Sequence, residues 1–257
     1  MMNHMKQYMK RYELKNRAKD NLAGKYGTLI LGSFLFSLIN AAVLLLFAFP
    51  YILSSMASML TGGGYNSASF WLYQAGTLVT QVLSGFLQFG IAYLCLNIVC
   101  GRPYHYQNVF FGFHRGNLIK TLILSVTQVL VNAICLQPCQ YFANDFLDTR
   151  DYRWLAAAAL ALIIGGCIYI PVSLALNICY YLLLDFPNKK ATEIIRDSFR
   201  VIKGHRKRLF LLQCSFIPLY LLCELSLGIG FLWLTPYMSM TLVLFYLDLM
   251  NPKEGNI

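Results

Sequence analysis

Four histidines, eight cysteines and eleven carboxylates are the residues here that could carry catalysis or hold a metal, and their spacing assembles neither. His4, His105, His114 and His205 have no helical partner at metal-ligand spacing. Cys95, Cys100, Cys167, Cys179, Cys214 and Cys223 stand singly in apolar runs and read as small buried hydrophobes. Cys135 and Cys139 flank Pro138 near an expected outer surface, where an oxidising compartment would allow a disulfide. The chain shows no paired base and nucleophile and no phosphate-cradling glycine loop, so neither catalytic residue, metal nor cofactor is expected.

Binding chemistry is better represented. His205, Arg206, Lys207 and Arg208 form a cationic cluster beside an apolar run, which suits an anionic headgroup and equally suits a topology anchor. Asn40, Gln81, Gln88, Asn97, Gln128, Asn132, Ser173 and Asn177 fall inside apolar segments, where polar side chains need partners. They are expected either to pair between helices or to converge on a cavity near the bilayer midplane; the first outcome marks packing, the second transport. Glu224 lies within an expected span and is a candidate proton or cation site, but its depth puts it in the last turn, within reach of the outer water.

The elements that must position these groups are membrane helices. The chain is 58% hydrophobic and 12% charged, against about 25% charged residues in soluble domains. With 15% aromatic residues and a mean hydropathy of +0.54 it has ample apolar surface to bury, which excludes a disordered chain. The reading is an all-α polytopic membrane protein with about six transmembrane helices plus amphipathic interfacial helices. Residues 1–27 form a cytoplasmic amphipathic segment, in which Leu14, Ala18, Leu22 and Tyr26 mark a helix lying on the membrane surface. Residues 28–250 form the membrane domain, with spans at about 28–53, 70–99, 118–136, 154–184, 209–227 and 230–250, and residues 251–257 are a cytoplasmic tail.

Between the spans, Ser54 to Ser69, with Gly62, Gly63 and Gly64, reads as a flexible outer loop. Gly101 to Asn117 mixes cations with Tyr104, Tyr106, Phe110, Phe111 and Phe113, a headgroup-level composition. A cytoplasmic helix at about 190–204 has Ala191, Ile194, Ile195, Phe199 and Ile202 on one face, and Gly204 is a plausible stop. Gly228 and Gly230 divide the last apolar run into two helices. The stripes Gly76, Thr80, Ser84 and Ala157, Ala161, Gly165 permit close helix contact.

The formal charge of +10 could signal nucleic acid, but its placement argues for a membrane. Arg150 and Arg153 alone fall in outer connections, and every other lysine and arginine falls inside, so both termini are expected in the cytoplasm. Lys25, Arg115 and Lys207 each precede an outward span at intervals of roughly 90 residues, which suggests three units of surface helix plus hairpin.

The later part of the chain resembles a bacterial integral membrane family, domain of unknown function 975. The resemblance is carried by Tyr181-Leu182-Leu183-Leu184-Asp185-Phe186-Pro187, Ser198, Lys203-Gly204-His205, Leu209-Phe210, Ser215-Phe216-Ile217, Gly228 to Leu234, Pro236-Tyr237 and Phe245-Tyr246. Ala18 to Leu22 with Gly24, Gly85 to Tyr93 and Val109 to Phe113 match more weakly, and Lys190 stands where the family pattern carries a serine. The resemblance implies a multi-span protein of the bacterial cell membrane and supplies no catalytic residues. The expected function is noncatalytic: an accessory, regulatory or envelope-maintenance factor, with a permease or transporter component for a lipid or small amphiphile as the alternative. Its expected partners are a bilayer with anionic headgroups and a membrane-protein partner of unknown identity.

Overall fold

The computed structural model describes residues 6–61, 67–149, 151–226, 228–251 and 253–254. Helices α1 (Arg11–Leu22), α2 (Tyr26–Thr61) and α3 (Ser67–Val99) are followed by a 3-10 helix (Tyr106–Phe113), α4 (Leu118–Thr149) and α5 (Tyr152–Asp185). Then come α6 (Ala191–Ile202), α7 (Arg206–Cys214), α8 (Ile217–Leu225) and α9 (Phe231–Met250). The chain ends meet: Lys6–Gln7 pairs antiparallel with Lys253–Glu254, which puts both termini on one side.

Six helical stretches are long and apolar enough to cross a membrane, counting α7 and α8 as one. Their outward residues include Leu46, Met59, Leu60 and Ile163, each more than half exposed. An apolar surface of that extent requires an apolar solvent.

The helices form three consecutive units, each a surface element followed by a hairpin, and the units close in a ring. The 3-10 helix packs on α3, α6 packs on α5, and α1 closes the ring on α9. The hairpins follow the same order, with α4 against α3, α7 against α5 and α2 against α9, while α3, α5 and α9 touch one another at the centre. Units one and three match in length and at several positions of their surface helices. Lys10 and Lys190 stand at the helix starts, and Glu13 and Glu193 each accept from the backbone N–H of those lysines. Leu14, Ala18 and Leu22 correspond to Ile194, Ser198 and Ile202, all buried, and Gly24 and Gly204 both end the turn at positive φ. The middle unit departs from the expected repeat because its surface element is a 3-10 helix. It is clamped by small residues: a Cβ on Gly90 would lie 1.8 Å from the Val109 carbonyl oxygen, and one on Gly32 would lie 2.9 Å from the Val109 side chain.

Several boundaries differ from the sequence reading. The connection between the first two spans is shorter than the expected Ser54 to Ser69, because α2 continues to Thr61 and α3 starts at Ser67; Gly62, Gly63 and Gly64 lie outside the described residues, as do His4 and Arg150. The third span does not stop near 136 but continues as α4 to Thr149, so Cys135 and Cys139 sit in one helix, as free thiols. The N-terminal helix does not rest its apolar face on lipid: Leu14, Ala18 and Leu22 are fully buried in the bundle.

The fifth span is not one continuous helix. Pro218 lacks the N–H that would bond the Cys214 carbonyl, and the chain breaks between α7 and α8 at Ser215 and Phe216. The division of the final run is as expected, with Gly228 at φ +85° between α8 and α9. Both small-residue stripes make close contacts: a Cβ on Gly76 would lie 2.2 Å from Phe47 Cβ, and one on Gly165 would lie 1.9 Å from the Cys135 carbonyl oxygen.

Candidate functional site: a polar cavity between five helices

Three of the eight intramembrane polar residues converge. Gln88 of α3 and Ser173 and Asn177 of α5 line a cavity of about 400 Å³, and Gln88 Nε2 donates to Asn177 Oδ1 at 3.3 Å. The wall is completed by Tyr181, by Gln213 of α7 and Tyr220 of α8 on either side of the break, and by Thr235 and Ser239 of α9. The first two hairpins thus supply one wall and the third hairpin the other. Counted at 1.5 Å per residue, these groups lie roughly 6 to 22 Å from the helix ends on the terminal side.

The chemistry of the lining is uniform. Among the described residues around the cavity none is Asp, Glu, Lys, Arg or His; the polar groups are amides and hydroxyls. Gln88 is exposed and Tyr220 is 40% exposed, so the cavity opens at the side of the bundle. Ser173 Oγ donates to the Ile170 carbonyl, which leaves its oxygen lone pairs to accept from a guest. A broken helix at the cavity wall is a recurrent way to present polar groups at mid-membrane depth.

The other five residues lie elsewhere. Asn40 Oδ1 accepts from Ser84 Oγ at 2.7 Å and Asn40 Nδ2 donates to the Phe36 carbonyl, so it ties α2 to α3. Asn97 is buried near the end of α3, and Gln81, Gln128 and Asn132 are half-buried outside the cavity. Glu224 is exposed in the last turn of α8 and does not line the cavity. Gln213, Tyr220, Thr235 and Ser239 were missed by the sequence reading; a glutamine beside a proline-driven helix break was the signal available for Gln213.

The cluster His205 to Arg208 is divided. Arg206 and Lys207 are exposed, but the His205 ring meets Tyr8 edge-on at 4.4 Å. Burial pushes the His205 imidazole below its ordinary value, and Arg208 pushes in the same direction while Asp248 opposes. Arg208 is committed inward: it donates to Asp248 and to the Met9 carbonyl, and Asp248 in turn accepts from the Met9 N–H. The cluster as a whole is therefore not a single exposed cationic surface.

Six helical stretches long and apolar enough to cross a membrane, four of them around a polar cavity, are compatible with a multi-span membrane protein. A family model described as a protein of unknown function, DUF975, matches residues 5–253, and the chain belongs to that family. No curated protein and no solved structure matches the chain.

Proposed function

We propose that this chain is a noncatalytic permease component that takes the uncharged polar headgroup of a small amphiphile, of polyol, sugar or amide type, into the mid-membrane cavity. The observation that carries this reading is the convergence of amides and hydroxyls from α3, α5, α7, α8 and α9 on one uncharged cavity. Such groups are costly in hydrocarbon unless something hydrogen-bonds them, and a headgroup entering from the open side would do so. The absence of charge from the lining, among the described residues, favours neutral guests, because an unpaired ion would lose its hydration without a counter-charge.

The Asn40–Ser84 pair is the observation that favours a second reading, an accessory or regulatory role through a membrane-protein partner, since it serves packing alone. Under either reading the chain sits in the bacterial cell membrane with both termini cytoplasmic. Reporters fused after Pro103, Lys190 and the C-terminus would read as internal, and those after Ser58 and Asp148 as external.

The test of the permease reading is lipid occupancy. The full chain, extracted in mild detergent, is expected to retain a neutral amphiphile detectable by mass spectrometry, and Asn177→Leu with Gln213→Leu is expected to lose it while keeping its melting temperature. Equal lipid content in both proteins would remove the support for this reading.

A further inference from the structure

We propose that a second cavity, between the start of α1 and α7, is a binding site for a phosphate-bearing anion held by Lys10, Arg11, Lys15 and Arg208. This cavity is about 840 Å³, and its wall also contains Tyr8 and Tyr12. Four cations face it. The carboxylates nearby are already engaged: Glu13 accepts from the Lys10 N–H and the Tyr12 hydroxyl, and Asp248 accepts from Arg208 and the Met9 N–H. Among the described residues Lys10, Arg11 and Lys15 form no salt bridge.

A second observation comes from Arg208. Arg208 Nη1 is buried with no hydrogen-bond partner, although Nη2 of the same guanidinium makes two bonds. That atom is sealed within the wall, and the exposed part of the Arg208 side chain, which lines the cavity and carries the same charge, is what a phosphate oxygen would meet. Lys15 adds a second cationic donor at this wall, half-buried and only partly engaged. Its Nζ donates to the Ser215 carbonyl at 2.9 Å, which leaves two N–H groups free for a guest. Burial pushes Lys15 below its ordinary value, and Lys19 and Arg11 push in the same direction, as expected for cations gathered without their counter-ion.

The site is distinct from the mid-membrane cavity in place and in chemistry, since that one is lined without charge and this one with four cations. It also differs from the sequence cluster, because only Arg208 of that cluster reaches it and the other three cations come from the N-terminal helix. Phosphate could arrive on a lipid headgroup or as a free anion, and both fit the same donors.

The test titrates the full chain in neutral maltoside detergent with dihexanoylphosphatidylglycerol, with dihexanoylglycerol, which lacks the phosphate, and with inorganic phosphate, reading the melting temperature. Saturable stabilisation by the phospholipid and not by the diacylglycerol is expected. Lys10→Gln with Arg11→Gln should weaken it by about tenfold, a change that lost charge-assisted contacts can produce. Those two side chains make no bond that folding needs, so the pair remains informative if Lys15→Gln fails to fold. Arg206→Gln with Lys207→Gln removes the same charge outside the cavity and should leave the apparent affinity unchanged. Equal stabilisation by inorganic phosphate would assign the site to a free anion, and stabilisation by the lipid alone to a headgroup. No saturable binding by either, equal stabilisation by the diacylglycerol, or equal loss in the Arg206/Lys207 variant would overturn the proposal.

Discussion

Lys15 Nζ lies 2.9 Å from the carbonyl oxygen of Ser215, and the same ammonium sits 4.1 Å above the Phe216 ring. These two residues are the break between α7 and α8, so a side chain of the N-terminal helix holds the point where a membrane helix is interrupted. Gln213, just before the break, and Tyr220, just after it, line the polar cavity. The N-terminal helix is thereby tied to the geometry of the cavity wall.

Replacing Lys15 with methionine keeps the apolar stem but removes the donor and the charge. Loss of a charged hydrogen bond and a cation–π contact is expected to cost about 2 to 3 kcal/mol. The measurement is the midpoint of unfolding in detergent. A midpoint equal to wild type would show that the break is held without Lys15.

Gly165 and Gly166 are adjacent and should respond in opposite ways. A Cβ at Gly165 would collide with the Cys135 carbonyl, whereas one at Gly166 meets nothing within 4 Å. Gly165→Ala is expected to part α4 from α5 at a cost of about 1 to 3 kcal/mol or more. Gly166→Ala should be neutral or stabilising by about 0.5 to 1 kcal/mol, because alanine favours the helix. Denaturation of the two variants side by side checks the α4–α5 contact.

His205 gives a pH dependence with a definite sign. Its folded pKa lies below the ordinary 6.5, through burial first and Arg208 second, with Asp248 opposing and Tyr8 packed on the ring. The unfolded chain therefore binds the proton more readily, so this contribution is fully present above 6.5 and is lost as the pH falls below it. Glu13 and Asp197, both lowered by hydrogen bonds, lose their contributions only further down, below their ordinary 4.5 and 3.8. Melting temperature should fall between pH 7.5 and 5.5 in the wild type, and His205→Gln should flatten that interval alone.

Glu224 is expected to be dispensable. It is exposed at the far turn of α8 and lines no described cavity wall, so Glu224→Gln should leave abundance and complementation of a deletion strain unchanged. Complete loss of complementation by a normally abundant variant would instead make it a proton or cation site.

The membrane character and the surface helices could be read directly, because apolar run length and 3.6-residue periodicity are local properties. The buried face of α6, at Ala191, Ile194 and Ile202, follows from spacing alone. The same spacing marked Leu14, Ala18 and Leu22 on α1, yet it could not say whether lipid or protein covers them. That depends on α9, more than two hundred residues away, and local pattern carries no such information. The cavity was half legible for the same reason: rarity in an apolar run singles out Gln88, Ser173 and Asn177, but only the ring of hairpins brings them to Gln213, Thr235 and Ser239.

Lipid exchange in reconstituted vesicles puts the cavity to work directly. Vesicles containing the full chain would carry a fluorescent lipid with an uncharged sugar headgroup, and its movement between leaflets would be followed by quenching from outside. The wild type should accelerate that movement over protein-free vesicles, and Asn177→Leu with Gln213→Leu should reduce the acceleration by about tenfold, matching the loss of about 1.4 kcal/mol of hydrogen bonding to the headgroup. Identical rates with and without the protein, or an undiminished rate in the folded double variant, would contradict a headgroup-carrying cavity.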